Sequence, residues 1–228
     1  MKKTLFAIAL ATAGVLAIPA AFAQDASTSS TASSTQAGWK SYSGWYLDGD
    51  LGASRANDNQ TYRKANYAGA LTGGYRWAVS PDMSVGAELG YVYLGKFDAK
   101  SDVNQNYLAN GGAIGDARSN LRGATLGGAM RLNLTQAWYI NLRGGVFDAH
   151  GSALSEDTQF PVRRTFTNNI GYYAGLGTGW DINQHWSVGV NYTYYGVNRD
   201  PSLTNGQFAG TRVVLDTNTL TASAEYRF

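Results

Sequence analysis

The sequence predicts an all-β fold, an eight-stranded antiparallel up-and-down transmembrane β-barrel. Eight strand-like stretches run from about Trp45 to Phe228, the connections between them alternate short and long, and tryptophans cluster beside the short connections. Nothing in the architecture of a soluble sandwich requires all long connections to lie at one end. In a barrel that crosses a bilayer they do lie at one end, because one rim carries tight turns and the other carries loops.

The connections divide into two classes by length. The short ones are Ser80-Pro81-Asp82, Thr135-Gln136-Ala137 and Asn183-Gln184-His185. The long ones are polar and fall near Ala56–Lys64, Lys96–Asn120, Gly151–Asn169 and Arg199–Val214.

Residues 1–23 have the features of a secretory signal peptide. The basic start, the apolar stretch and the small-x-small cleavage site are Lys2 with Lys3, Leu5–Ile18 and Ala21-Phe22-Ala23. An uncleaved helical anchor is the alternative, and Pro19 before the cleavage site favours removal. Beyond residue 23 no apolar run reaches about 18 residues, which excludes helical membrane spans.

The remaining chain divides into a flexible segment and a barrel domain. Residues 24–43 are rich in Ser, Thr and Ala and cannot bury a core, so we expect a flexible N-terminal segment followed by the barrel at 44–228. Lys plus Arg number 18 against 16 acids, and removal of Lys2 and Lys3 leaves a neutral chain with no basic patch for nucleic acid. Without cysteine, disulfides and thiolate metal sites are excluded, and we predict no cofactor and no metal.

Three of the first four strands alternate weakly because of glycines. These are about Trp45–Ser54, Tyr67–Val79 and Leu121–Leu134, and we interpret their glycines as points where a small barrel curves around a crowded interior. The third strand alternates cleanly between two faces. One face carries Met83, Val85, Ala87, Leu89 and Tyr91, and the other carries Ser84, Gly86, Glu88 and Gly90.

The last four strands show the two-residue period of a sheet with one face toward lipid. The predicted lipid-facing residues of the fifth and sixth strands are Trp138, Ile140, Leu142, Val146, Ile170, Tyr172, Ala174, Leu176, Trp180 and Ile182. Those of the seventh and eighth are Trp186, Val188, Val190, Tyr192, Tyr194, Leu220, Ala222, Ala224, Tyr226 and Phe228. The intervening residues face the lumen.

Four tryptophans support this orientation. Trp77, Trp138, Trp180 and Trp186 lie within a few residues of the short turns. Because indole prefers the bilayer–water interface, they predict one aromatic girdle at the turn rim, which we assign to the periplasmic side.

The chain resembles the small outer-membrane β-barrel family, whose members include the membrane domain of OmpA and OmpX. The resemblance covers about Trp45–Phe228 and rests on Gly44-Trp45-Tyr46-Leu47-Asp48-Gly49 and Glu225-Tyr226-Arg227-Phe228. It implies location in the cell outer membrane and contact with its lipid and lipopolysaccharide. It also implies that Tyr226 and Phe228 form the signal read by the barrel-assembly machinery.

Strand parity places nine ionisable side chains in the lumen. They are Asp48, Asp50, Arg76, Glu88, Arg131, Arg143, Asp181, Glu225 and Arg227. An eight-stranded barrel is just wide enough for side chains to fill, so these groups must pair, with Tyr139, Asn141 and Asn191 satisfying the rest. We favour a structural plug, and the alternative is a gated path in which the pairs exchange partners to pass ions.

The sequence gives weaker support for a catalytic site or a calcium site. Asp148, His150 and Ser152 are the candidates for a lipid A-modifying enzyme, but their spacing does not supply nucleophile geometry, and His185 lies in a turn. We therefore predict no catalytic residues. The loop Lys96–Asn120 lacks the acid register of a calcium loop, so we expect it to be solvated.

The predicted function is a monomeric structural or surface-interaction protein, with recognition through the extracellular loops. One loop carries Arg163 and Arg164, which could touch lipopolysaccharide phosphates. A narrow porin-like channel for ions or small solutes is the alternative, and a lipid-modifying enzyme is the third interpretation.

Overall fold

The computed structural model describes residues 41–57, 66–112, 118–154, 163–197 and 216–228. They form a closed barrel in which each strand pairs antiparallel with the next and β8 returns to pair with β1, which confirms the predicted fold class. The strands are β1 Gly44–Ala56, β2 Asn66–Ala78, β3 Met83–Asp98, β4 Arg118–Asn133, β5 Trp138–Leu154, β6 Arg163–Asp181, β7 Trp186–Gly196 and β8 Thr217–Arg227. The predicted signal peptide and most of the segment 24–43 lie outside the described residues.

The three short connections share one geometry. In each four-residue turn the first two backbone N–H groups donate to the carbonyl of the first residue in the next strand. The acceptors are Met83, Trp138 and Trp186, at 2.8–3.3 Å. Three tight turns of one kind define one rim of the barrel, called the turn end below, and the other rim is the loop end.

The two faces of the strands are occupied as the alternation predicts. Large apolar side chains point outward along every strand, and their neighbours point into the lumen. Trp45, Trp77, Trp138, Trp180 and Trp186 are all exposed around the turn end. Exposed tyrosines occupy the outer surface toward the loop end, namely Tyr67, Tyr91, Tyr93, Tyr172 and Tyr192. The two belts are the aromatic girdles of a membrane barrel.

The connection between β3 and β4 differs from the predicted solvated loop Lys96–Asn120. β3 continues to Asp98, a short helix α1 spans Ser101–Ala109, and β4 begins at Arg118. Phe97, Ala99 and Val103 of this segment are buried. Among the described residues no helix is long and apolar enough to cross a membrane.

The prediction for Gly151–Asn169 was likewise too wide. β5 continues to Leu154 and β6 begins at Arg163, so the strands pair well beyond the predicted loop boundaries. Strand pairing of this length needs no clean alternation in the sequence, because backbone hydrogen bonds alone propagate the ladder.

A bulge near Gly95 explains how the end of β3 turns its apolar side chains inward. Pairing with β4 shifts register between Tyr93 and Lys96. Gly95 has a φ of 92°, and Ser54 Oγ donates to the carbonyl of neighbouring Leu94 at 2.6 Å. The extra residue reverses the parity, so that Phe97 faces the interior where the unbroken pattern would turn it outward.

We expect Gly95→Ala to destabilise the barrel more than Gly111→Ala. Both glycines have positive φ, a conformation that L-residues adopt only at a cost of about 1 kcal/mol. A Cβ at Gly95 would also lie 2.6 Å from the Tyr67 carbonyl, whereas one at Gly111 would meet nothing within 4 Å. Urea unfolding in lipid vesicles measures both, and equal midpoints would contradict the close contact.

Candidate functional site

All nine ionisable side chains predicted for the lumen point into it, and they form two clusters. The turn-end cluster contains Arg76, Arg131, Asp181, Glu225 and Arg227, and the central cluster contains Asp48, Asp50, Glu88 and Arg143. Each side chain in both clusters is at most 18% exposed.

Glu225 organises the turn-end cluster. Its two carboxylate oxygens accept from both terminal nitrogens of Arg76, at 2.7 and 2.6 Å, the paired geometry in which guanidinium binds carboxylate most strongly. Arg131 donates to Glu225 at 3.2 Å and to Asp181 at 2.5 Å. Arg227 donates to the same Asp181 oxygen at 2.9 Å. A continuous chain of ion pairs therefore crosses the lumen from β2 to β6.

Two of these arginines also lie against aromatic faces. The Cζ of Arg76 is 3.8 Å from the ring centroid of Tyr46, and that of Arg131 is 3.5 Å from the centroid of Tyr139. A guanidinium can stack on a ring while its edge nitrogens bind carboxylates, so the rings fill the space that the ion pairs leave.

Arg143 organises the central cluster. Its terminal nitrogens lie 3.2 Å from Asp48, 3.4 Å from Asp50 and 3.4 Å from Glu88. The remaining acceptor capacity of two carboxylates is met by neutral donors. They are Tyr46 and Tyr173 on Glu88, at 3.1 and 2.8 Å, and Asn191 and Thr221 on Asp50, at 2.8 and 2.9 Å.

The two clusters carry unequal formal charge. The turn-end cluster has three arginines and two carboxylates, and the central cluster has one arginine and three carboxylates. Oδ1 of Asp48 is buried without a hydrogen-bond partner among the described residues. The lumen is therefore positive toward the turn end and negative at its centre when all nine groups are ionised.

Glycines on the inner face make room for the neutral part of this network. A Cβ at Gly177 would collide with the amide oxygens of Asn141 and Asn191, and one at Gly127 would collide with the Tyr173 hydroxyl. The Asn141 amide donates to Asn191 at 3.3 Å, so it supports the network through a second residue rather than by binding a carboxylate.

A buried apolar layer occupies much of the loop-end half of the lumen, beside buried Ser54 and Thr217, and the sequence analysis did not predict this layer. It consists of aromatic and aliphatic side chains from strands and from α1. Its largest members are Val92, Leu94, Phe97, Val103, Leu121, Phe147, Tyr173 and Tyr195. Phe147 and Tyr195 meet edge to face with centroids 5.3 Å apart. The alternation along β5 and β7 places Phe147 and Tyr195 on the lumen face, and this placement could have predicted that aromatic rings fill the lumen near the loops.

The candidate catalytic residues do not form a nucleophile–base arrangement. His150 Nδ1 lies 3.8 Å from Asp148 Oδ2, which is beyond hydrogen-bonding distance, and Ser152 is buried. His185 stacks beside Tyr226 at the turn end. Within the described residues, no group of three or more histidine or carboxylate side chains is arranged to hold a metal ion.

The C-terminal aromatics lie on the outer surface at the seam between β8 and β1. Tyr226 and Phe228 meet edge to face at 5.0 Å, and the Phe228 N–H donates to the Trp45 carbonyl at 3.1 Å. The side chains of Arg163 and Arg164, predicted to touch lipopolysaccharide, lie outside the described part of the structure.

Comparison with known proteins places the chain in one family. The family model described as the outer membrane protein beta-barrel domain matches residues 8–228. No curated protein sequence matches the chain.

Three solved structures are similar at low identity. Neisserial surface protein A is 12% identical over 81% of this chain and 97% of its own, with a TM-score of 0.48. Ail of Yersinia pestis is 12% identical over 82% and 97%, with a TM-score of 0.46. OprG from Pseudomonas aeruginosa is 15% identical over 84% and 98%, with a TM-score of 0.46.

Proposed function

Because the chain belongs to the family of outer membrane protein beta-barrel domains and is therefore a protein of the outer membrane, we propose that it is a structural and surface-interaction protein with a closed lumen. The barrel anchors the chain and contributes to the integrity of the membrane. Recognition of partners outside the cell falls to the connections at the loop end, since exposed loops on a rigid scaffold are the usual position for binding residues.

The observation that supports the proposal is that two layers of side chains fill the lumen, an apolar layer toward the loop end and ion pairs toward the turn end. An ion or solute that enters from the loop end meets the apolar layer around Phe147 and Leu121, both fully buried. One that enters from the turn end meets the ion pairs of Glu225 with Arg76 and Arg131. To open a path, both layers must rearrange, and breaking buried ion pairs costs several kcal/mol.

One observation favours the alternative, a narrow cation path. Three carboxylates surround the single guanidinium of Arg143, and this excess negative charge would attract a cation to the centre of the barrel. For this path the apolar layer has to open first, so the alternative requires a conformational change that the plug does not.

Single-channel conductance distinguishes a closed lumen from a narrow cation path. We expect the folded protein in a planar bilayer to show no stable single-channel steps between 0.1 and about 1 M KCl, where surface charge is progressively screened. Folding is verified in the same sample by altered mobility on unheated gels. Stable steps whose size changes in Glu88→Gln would contradict the plug and assign conduction to the central cluster.

We propose no catalytic role for His150. The 3.8 Å separation from Asp148 and the burial of Ser152 both argue against nucleophile activation on this face. We propose the C-terminal pair Tyr226 and Phe228 as the assembly signal, and the support is that the two rings lie together at the seam between β8 and β1, with Phe228 exposed.

A further inference from the structure

The lumen holds one more carboxylate than it has guanidinium groups to compensate them. The nine ionisable side chains of the two clusters comprise four arginines and five carboxylates, so the fully ionised set has a net charge of −1. Each of these side chains is at most 18% exposed. A buried carboxyl group without a counterion becomes neutral by binding a proton, because burial of an uncompensated charge is costly.

Asp48 is the least compensated carboxylate of the central cluster. The single guanidinium of Arg143 lies 3.2 Å from Asp48 Oδ2, and Asp50 and Glu88 share the same guanidinium. Both oxygens of Asp50 and both of Glu88 accept at least one hydrogen bond. Oδ1 of Asp48 has no hydrogen-bond partner within the described residues, although the whole residue is only 3% exposed. The cluster with excess negative charge therefore contains a buried carboxylate oxygen without a donor.

The charged groups around Asp48 do not supply a second cation to it. They are Asp50 on β1, Arg76 on β2, Glu88 on β3, Arg143 on β5 and Glu225 on β8. Glu225 is directly opposite Asp48 across β8 and β1, an arrangement in which like charges destabilise a sheet. Arg76 donates through both terminal nitrogens to Glu225, so it compensates that carboxylate rather than Asp48. The Tyr46 hydroxyl on the same strand as Asp48 donates to Glu88.

We propose that the lumen binds one proton and that Oδ1 of Asp48 carries it in the folded protein at about pH 6, where an exposed aspartate is ionised. The proton comes from solution and brings the net charge of the nine groups to zero. It also converts the oxygen without a donor into a hydroxyl that can donate to the carboxylate oxygens around it. Loss of this proton in alkaline medium returns an uncompensated negative charge to the centre of the barrel, so Asp48 is a pH-responsive group within the lumen.

The inference rests on the closed lumen of the proposed function, because water in the lumen would let Asp48 ionise. Conductance in a planar bilayer tests closure and infrared absorption tests the proton, so the two conclusions can fail separately. A silent barrel without a protonated carboxyl group contradicts only the inference, whereas a conducting barrel contradicts the proposed function.

The first test is infrared spectroscopy of the folded protein at about pH 6, where exposed carboxyl groups are ionised, in a detergent without carbonyl groups. A protonated carboxylic acid has a carbonyl stretching band apart from the carboxylate and amide bands, and this band shifts in heavy water. We expect the band in the unmodified protein and in Asp82→Asn, the same change at an exposed carboxylate, but not in Asp48→Asn. Labelling of aspartate carboxyl groups with carbon-13 should also shift the band, and this result needs no substitution at Asp48.

The second test uses the pH dependence of folding. At about pH 5 to 6 the aspartates of the unfolded chain are ionised while folded Asp48 keeps its proton, so the folded state binds one more proton and a rise in pH disfavours it. Asparagine has the shape and charge of protonated aspartate, so Asp48→Asn lacks this contribution and keeps that of every other group. In urea titrations in lipid vesicles, the folding equilibrium constant of the unmodified protein relative to the variant should fall about tenfold over this one pH unit.

Three outcomes overturn the proposal. Absence of the carboxylic acid band from the folded, unmodified protein shows that the lumen retains its negative charge. A band that persists in Asp48→Asn, or that does not shift with carbon-13 aspartate, places the proton on another carboxyl group. A protein without the band that needs more urea to unfold in sodium chloride than in choline chloride shows that a sodium ion, rather than a proton, balances the charge.

Discussion

Glu225→Gln is expected to lower the free energy of unfolding by about 3–5 kcal/mol, because it leaves buried Arg76 without a counterion and removes one of the two carboxylate partners of Arg131. Glu225 binds Arg76 through both oxygens and also accepts from Arg131. Glutamine has nearly the same shape, so packing is retained while the charge of the turn-end cluster becomes more positive. Urea titration of the folded protein in lipid vesicles measures the loss.

The matched control makes the same chemical change at an exposed carboxylate. Asp82 in the first short turn accepts a hydrogen bond from Ser80 at 2.6 Å and is open to water. Asp82→Asn should change the unfolding free energy by less than about 0.5 kcal/mol. If Glu225→Gln unfolded at the same urea concentration as this control, the turn-end cluster would have to be hydrated rather than buried.

Because the two clusters differ in formal charge, a comparison of Glu88→Gln with Glu225→Gln is also informative. Loss of negative charge from the central cluster, as in Glu88→Gln, brings three carboxylates and one arginine closer to balance. Loss of negative charge from the turn-end cluster increases an existing excess of arginine. The same substitution type should therefore cost less at Glu88 than at Glu225, although Glu88→Gln would leave only one acceptor oxygen for the hydroxyls of Tyr46 and Tyr173.

Strand number, connectivity and the facing of side chains could be predicted because they depend on local periodicity. A strand has a period of two, so a lipid face leaves an apolar residue at every second position regardless of what pairs with it. This is why Leu142 and Val146 could be assigned outward, and Asn141 and Arg143 inward, from β5 alone. The tight turns then required neighbouring strands to be antiparallel.

The end of β3 could not be predicted because a bulge changes the period. Gly95 with positive φ inserts one residue, after which Phe97 and Lys96 exchange the faces that uninterrupted alternation would give them. Because the sequence pattern does not reveal this shift, the stretch Lys96–Asn120 was predicted to be a polar loop. One glycine therefore hid the inward orientation of Phe97 and with it the outer part of the apolar layer.

The sequence also could not predict which ionisable side chains pair with each other in the lumen. Parity identifies which side chains enter the barrel but not their depth relative to residues on strands across the interior. Arg76 and Glu225 are separated by 149 positions, and their contact depends on the stagger of the whole closed sheet. The separation into a positive and a negative cluster follows from that stagger.

Phe147→Ala is the second substitution with a large expected effect, a loss of about 3–5 kcal/mol in the free energy of unfolding. Phe147 is fully buried in the loop-end layer against Tyr195, and truncation leaves a cavity that strand backbones cannot close by local movement. Unfolding in lipid vesicles, monitored by tryptophan fluorescence at the turn-end girdle, gives the change directly.

The adjacent residue supplies the control and tests the two-sided architecture. Val146 faces outward and is half exposed, so in the bilayer Val146→Ala exchanges one lipid contact for another and should cost well under 1 kcal/mol. A large difference between these neighbours requires a packed layer inside the barrel at this height. Equal small effects would mean that the lumen near the loops is hydrated, and the barrier to solutes would then rest on the ion pairs alone.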